Sequence, residues 1–313
     1  MSSLTWNGAE PPPAPPTGPG GVLRAIARGT ALFLLISAFL PPLWALRGGE
    51  RLTGRRLGAT FIPHLVSRLA LCILGIRHEV KGRPDRRAGA VVANHVSWLD
   101  IFTLNAADEI VFVAKAEVAR WPFIGLMARS TGVVFIERRR SQAHHHRNML
   151  AERIARGDRI LFFPEGTSSD GLRVLPFRST LFASFFDQGF PQPPAIQPVT
   201  AIYHAPPGRD PRFYGWWGEM AFGPHLLQVL ATPRQGRVEV IFHPVVQVAD
   251  FTDRKALAAH LEAVVRRPVE ETFAATADGA MRPIADAPSA LPRSAATAER
   301  RTVSPGPGEG RAG

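Results

Sequence analysis

Cysteine is almost missing: Cys72 is the single one in 313 residues. One thiol excludes an intrachain disulfide and a multi-cysteine metal cage, and a cytosol-facing chain is the simplest inference. Also absent are an internal repeat, a glycine-rich nucleotide fingerprint and the Gly-x-Ser-x-Gly elbow of serine hydrolases. Acidic residues are in deficit, 26 against 37 Lys and Arg, which leaves a formal net charge of +11. Nucleic acid is one partner for such a charge. Here, however, the basic residues come in short clusters (Arg51, Arg55, Arg56; Lys81, Arg83, Arg86, Arg87; Arg138, Arg139, Arg140) between very apolar segments. That arrangement fits an anionic membrane surface and argues against a nucleic-acid module.

What is present is enough apolar material, 45% of residues, to build a sizeable core. The ends depart from this. Residues 10–21 read EPPPAPPTGPGG, and residues 274–313 are rich in Ala, Pro, Gly, Ser and Arg with little periodicity. Both 1–21 and 274–313 therefore read as disordered tails. Residues 29–46, GTALFLLISAFLPPLWAL, carry no charge and have arginine on both flanks. An uninterrupted helix of that length reaches about 27 Å, against roughly 30 Å of hydrocarbon. Pro41 and Pro42 remove backbone donors and predict a break or kink, with a helix of about twelve residues before them. Residues 57–76 carry His64 and Arg68 in their middle and read as amphipathic. Residues 22–76 are thus expected to form a two-helix membrane anchor lying in or dipping into one leaflet.

From residue 77 the pattern alternates. Short β-rich runs at 77–80, 90–93, 110–114, 132–137, 159–163, 195–203 and 238–243 are separated by helical stretches at 98–105, 122–130 and 142–155, with a last one at 253–272. This predicts an α/β domain over 77–273, a mixed sheet flanked by helices, with its functional groups at strand ends.

One such strand end reads ANHVSWLDIF, residues 93–102. With Ser97 as helix N-cap, Asp100 falls at the third helical position and faces back towards His95. A carboxylate there accepts the imidazole Nδ1 proton and fixes the tautomer, leaving Nε2 as a general base. The same letters also make an ordinary capped helix start, with a structural histidine before it. The spacing alone leaves both readings open. In FFPEGTSSDG, residues 162–171, Glu165 follows a buried-looking run and Gly166 permits a turn whose N–H groups could face an anion. A turn with a solvated glutamate is the plain alternative. GVVFIERRR, residues 132–140, runs a strand into arginines that either clamp an anion or decorate a surface.

Taken in order, these segments resemble the lysophosphatidic acid acyltransferase family of glycerolipid acyltransferases over residues 77–203. The first block is met by Asn94, His95, Ser97 and Asp100, and the second by Gly132, Phe135, Ile136 and Arg138. The connecting Lys-x-Glu with later Pro and Gly is met by Lys115, Glu117, Pro122 and Gly125, the third block by residues 163–167, and the fourth by Pro198 and Val199. The resemblance implies acyl transfer from a thioester on acyl carrier protein or coenzyme A to a lysolipid hydroxyl, at the cytosolic face of the inner membrane. His95 and Asp100 would be catalytic, with Asn94, Ser97, Lys115 and Pro198 in support, and no metal or redox cofactor is required. Arg138, Glu165, Gly166, Thr167, Ser168 and Arg178 would hold the acceptor, with backbone N–H groups of the Glu165–Gly166 turn as candidate oxyanion donors.

Two departures bear on the acceptor. Phosphatidate-forming members usually continue Thr-Arg-Ser, whereas Ser168 stands here; losing a charge-assisted phosphate contact weakens binding by about 1.5–3 kcal/mol unless another arginine replaces it. The later Phe-Lys-x-Gly becomes Phe177-Arg178-Ser179-Thr180. The wording of residues 114–125, 165–171, 177–182 and 223–227 is similar to the lyso-ornithine lipid acyltransferase branch, whose acceptor has no phosphate. The alternative is a 1-acyl-sn-glycerol-3-phosphate acyltransferase making phosphatidic acid. His144, His145 and His146 point in different directions on a helix and read as a solvated face, not a metal site. Trp216 and Trp217 beside Tyr214 are either an interfacial patch or packing, and Asp170 either a turn residue or a contact for a cationic headgroup.

Overall fold

The computed structural model describes residues 5–13, 16–121, 124–136, 143–186 and 194–277. Pro122, Arg138 to Arg140 and residues 278–313 lie outside the described residues. All seven expected strands form: β1 (Arg77–Lys81), β2 (Ala88–Ala93), β3 (Val111–Lys115), β4 (Val134–Ile136), β5 (Ile160–Phe162), β6 (Ala195–His204) and β7 (Arg237–Phe242). A two-residue β8 (Val246–Gln247) pairs with β6. The order is β1-β7-β6-β2-β5-β3-β4, with β6 antiparallel to β7 and β8 and the other pairs parallel. The sheet is therefore mixed, as expected.

Alternation along the strands decides which helix covers which face. Val91 and Ala93 of β2, Leu161 of β5 and Val199 and Ala201 of β6 join one core. There they meet Leu71 and Leu74 of α2 (Phe61–Leu74), Leu104 of α3 (Asp100–Ala107) and Val229 of α7 (Phe222–Ala231). Ala90, Val92, Phe162 and Ile196 point the other way, onto Leu257, Leu261 and Val265 of a long C-terminal helix, Arg254–Ala277. That helix runs past the expected end of the domain at 273. α4 (Ile124–Thr131), α5 (Ala143–Ala155), the short α6 (Ala183–Phe186) and α7 complete the layers, and the C-terminal helix is α8. Of these, α6 and α7 were not read from the sequence.

The helical preface corrects one expectation. Residues 19–53 form one helix, α1 (Pro19–Thr53), which runs through Pro41 and Pro42. The prolines forgo two intrahelical bonds, but both halves are tied to the domain. Arg24 and Arg28 donate to the carbonyls of Ala231 (3.2 Å), Leu230 (3.0 Å) and Thr232 (2.7 Å), closing the C-terminus of α7. Beyond the prolines, Trp44 donates to Ser130 Oγ (2.9 Å) and Arg47 to the Thr131 carbonyl (2.7 Å), closing the C-terminus of α4. Cations on orphan helix-end carbonyls are favourable on both hydrogen-bonding and dipole grounds. Among the described residues α1 alone is long and apolar enough to cross a membrane, and 94% of its apolar window is unburied. Leu23, Ile26, Phe33 and Leu34 are exposed.

Residues 5–13, read from composition as part of a disordered tail, are instead laid along the domain. The Trp6 N–H donates to Thr167 Oγ1 (3.4 Å), Trp217 Nε1 donates to the Ala9 carbonyl and Arg212 Nη1 to the Glu10 carbonyl (both 2.9 Å). The Trp6 ring packs against Trp217 and lies under the Arg173 guanidinium. One aromatic anchor outweighs the proline-rich composition around it.

At the N-terminal end of central strand β5 the sheet is held by Arg159, which is 3% exposed. Its Nε donates to Asp108 (2.6 Å), its Nη2 to Gln197 Oε1 (2.8 Å) and its Nη1 to the Ala88 carbonyl (3.1 Å). Arg159→Ala is expected to cost about 3–5 kcal/mol, because the buried Asp108 carboxylate loses its hydrogen-bonded partner and keeps only the longer, exposed ion pair with Arg86 (3.6 Å). The check is urea unfolding, with Arg159→Met combined with Asp108→Leu recovering most of the loss.

Candidate active site

His95 is two residues past β2 and shares parity with Val91 and Ala93, so its ring falls on the α3 side of the sheet. Asn94, of opposite parity, pins the strand end. Its Nδ2 donates to the Ala201 carbonyl (2.9 Å) and its Oδ1 accepts the Ala201 N–H (2.8 Å), so the amide continues the ladder to β6. Pro198 of β6 pairs with Val92, and its carbonyl accepts the His243 N–H (3.0 Å).

The histidine ring is fixed from two sides. Phe163 stacks on it with centroids 4.1 Å apart and planes 13° from parallel. Nδ1 meets Asp100 Oδ2 at 2.7 Å. Asp100 is fully buried, and the same oxygen accepts the N–H groups of Val96 (2.8 Å) and Ser97 (3.0 Å), while Oδ1 accepts the Tyr203 hydroxyl (2.7 Å). An ionised carboxylate accepts only, so Nδ1 must carry the proton. The ring is then the Nε2-basic tautomer. Nε2 has no partner among the described residues, and the side chain is 23% exposed.

Ser97 precedes Asp100 by the expected three residues. Its Oγ accepts the Leu99 N–H (3.4 Å) while Asp100 reaches back to the Ser97 N–H, the reciprocal logic of a capping box. The regular helix nevertheless begins at Asp100, after a turn closed by the Asp100 N–H on the Ser97 carbonyl (3.1 Å).

Glu165 is 2% exposed, and both its oxygens are taken by main chain: Oε1 accepts the His95 N–H (2.6 Å) and Oε2 the Leu175 N–H (2.7 Å). Burial pushes its carboxyl up to about 8, with Asp100 adding to the rise and the two N–H donors opposing it. The expectation that this side chain touches the acceptor needs correction, since the carboxyl braces the backbone of His95. Gly166 has φ +73°, the left-handed conformation the turn needs, but its N–H closes that turn on the Phe163 carbonyl (3.0 Å) and is not available to an oxyanion. The N–H groups of Thr167 and Ser168 donate to no described residue. Thr167 Oγ1 takes the Trp6 N–H.

Ser168 turns its hydroxyl into the protein, onto the Trp216 carbonyl (2.5 Å), and the Ser169 N–H donates to the His95 carbonyl (2.9 Å). Gly171, φ +82°, allows this loop to lie on Val96, where a Cβ would come within 2.8 Å of Val96 Cγ1. Asp170 is 1% exposed and faces Arg173, so it is a loop residue here and not an exposed headgroup contact. Arg178 wraps the same turn, its N–H on the Pro164 carbonyl (2.9 Å) and its Nε on the Glu165 carbonyl (3.1 Å). Lys115 ends β3, and Phe135 and Ile136 lie in β4, while Arg138 falls outside the described residues. Tyr214 and Trp217 are buried and belong to the packing, while Trp216 is half-buried. Sequence reasoning missed Tyr203; its signal was parity, since it follows Val199 and Ala201 on one face of β6.

This site sets a tautomer-fixed imidazole at the C-terminal ends of the parallel strands, an arrangement able to take a proton from a hydroxyl. The model of the family described as Acyltransferase matches residues 77–201. A lyso-ornithine lipid O-acyltransferase of Rhodobacter capsulatus is 51% identical over 85% of this chain and 97% of its own length. The chain belongs to the acyltransferase family and is an acyltransferase. A 1-acyl-sn-glycerol-3-phosphate acyltransferase of Neisseria gonorrhoeae is 33% identical, covering 64% of this chain and 78% of its own. The fold matches the crystal structure of a 1-acyl-sn-glycerophosphate acyltransferase from Thermotoga maritima with a TM-score of 0.57 at 22% identity, over 81% of this chain and 98% of that one.

α7 is joined to the turn between β2 and α3 by the Trp98 indole, which donates to His225 Nδ1 (2.9 Å), while His225 Nε2 faces the Phe213 carbonyl (3.3 Å). Burial pushes this imidazole down to about 4, overriding the backbone carbonyls that favour its charged form. A histidine held below its ordinary 6.5 contributes stability above that value that is lost as pH falls towards 4. Thermal unfolding across this interval is expected to show a steeper acid loss for the native chain than for His225→Gln.

Proposed function

We propose that this chain esterifies the hydroxyl of a lyso-ornithine lipid with an acyl group taken from a thioester of acyl carrier protein or coenzyme A. The acceptor oxygen attacks the thioester carbonyl carbon as its proton passes to His95 Nε2. A C–O bond forms and the C–S bond breaks, and the imidazolium returns the proton to the leaving thiolate. Asp100 holds Nδ1–H throughout, and no acyl-enzyme is formed. The Thr167 and Ser168 N–H groups are the candidate donors to the developing oxyanion. Arg178, and Arg138 with it, supply cations on the acceptor side.

The observation that carries the choice of acceptor is Ser168. The position where phosphatidate-forming relatives place an arginine holds a hydroxyl turned into the main chain. A headgroup without phosphate asks for no cation there, and the 51% identical relative bears the name of that activity. Phosphatidic acid synthesis is the alternative, with Arg178 as the replacement cation. The docking of α1 at both ends, about 28 Å apart along its axis, supports a helix lying in the interface beside the domain, since a span would have to release one end. On this reading the enzyme is monotopic on the cytosolic face of the inner membrane, with the exposed apolar face of α1 among the acyl chains.

Supplying lyso-ornithine lipid and lysophosphatidate side by side, each with acyl carrier protein and coenzyme A thioesters, tests this reading. A preference for the ornithine acceptor of about a hundredfold, equivalent to ~2.7 kcal/mol, is expected. A reversed preference overturns it. His95→Ala is expected to lower kcat about a thousandfold, with the acceptor KM within a few-fold.

A further inference from the structure

We propose that Tyr203 is a positioning residue for the transfer, acting through Asp100 to hold the His95 imidazole in its working orientation. This rests on the reading of His95 as the general base. Tyr203 lies on β6, opposite Val238 of β7, and its ring is buried among the residues that cover the sheet on the α3 side. A phenylalanine would fill the same space. The hydroxyl is there at full burial, where an unpaired phenol is costly, and it is 2.7 Å from Asp100 Oδ1 and 2.9 Å from Thr103 Oγ1.

The direction of these bonds follows from what each group can do. The carboxylate only accepts, so the Tyr203 proton goes to Asp100; the phenolic oxygen then accepts the Thr103 hydroxyl proton. Thr103 Oγ1 lies one turn along α3, 3.4 Å from the Asp100 carbonyl. Donation thus converges on Asp100, from Thr103 through Tyr203 onto Oδ1 and from His95 Nδ1 onto Oδ2. Burial drives the Tyr203 phenol well above its ordinary value of 10, so it stays a donor at any working pH.

The consequence is torsional. Oδ2 of Asp100 serves His95 and two N–H groups at once, and that geometry needs the carboxylate plane held still. Oδ1 is the far handle of that plane, and Tyr203 is its one hydrogen-bond partner among the described residues. The tyrosine is itself fixed, because its ring lies 5.7 Å from that of Tyr214, whose hydroxyl accepts the Gly236 N–H and donates to Gln235.

The test is a double-mutant cycle on the full-length chain in mixed micelles, with whichever lysolipid acceptor gives the higher turnover. Tyr203→Phe is expected to lower kcat about tenfold with acceptor KM within twofold. In an Asp100→Asn background the same change is expected to cost less than twofold, because the group it acts through is gone. Equal losses in the two backgrounds, or full kcat in Tyr203→Phe, overturn the proposal. A second measurement does not depend on turnover. In ¹⁵N-histidine-labelled protein, the His95 Nδ1 proton is expected to exchange with water at least about tenfold faster in Tyr203→Phe. An unchanged exchange rate overturns the positioning role even if neither acceptor is turned over.

Discussion

A fully buried carboxylate organises this molecule. Asp100 has lost its water, and charge in that position persists only if nearly every lone pair is met. It is met by one imidazole, two N–H groups of its own turn and one phenol. Three of these donors come from the turn between β2 and α3 and the fourth from the far part of β6, while the carboxylate itself opens α3. Satisfying one charge therefore sets the relative placement of three elements and, with them, the tautomer of His95.

The main chain of the histidine is held as firmly as its ring. Its N–H is bound by Glu165 and its carbonyl by Ser169, so the loop after β5 clasps the residue from both sides. The Val96 carbonyl takes the Trp216 N–H, which brings in the segment before α7. α7 in turn holds α1 through Arg24 and Arg28. A helix with an apolar exposed face is thus connected by packing and hydrogen bonds to the turn that carries His95.

Much of the sheet was legible from residue order. Short β-rich runs of four to nine residues bounded by turns mark the strands, and all seven were placed to within two or three residues of their observed ends. The His95–Asp100 spacing was legible too, though as one of two readings. What escaped has physical reasons. Composition cannot see that Trp6 finds Trp217, a contact 211 positions away that converts a proline-rich tail into a docked segment. Nor does proline content reveal that two helices cap their C-termini on either half of α1 and keep it continuous.

The chain order alone determined the class of architecture, the alternation of strand and helix, and the presence of a histidine and an aspartate at one strand end. Those are consequences of local periodicity and of spacing along a few residues. Tertiary structure alone decided that Asp100 is buried and bound by Tyr203, that Glu165 braces backbone and that Ser168 faces inward. Each of those depends on partners brought from 48 to 103 positions away, and only the packed sheet puts them within hydrogen-bond reach.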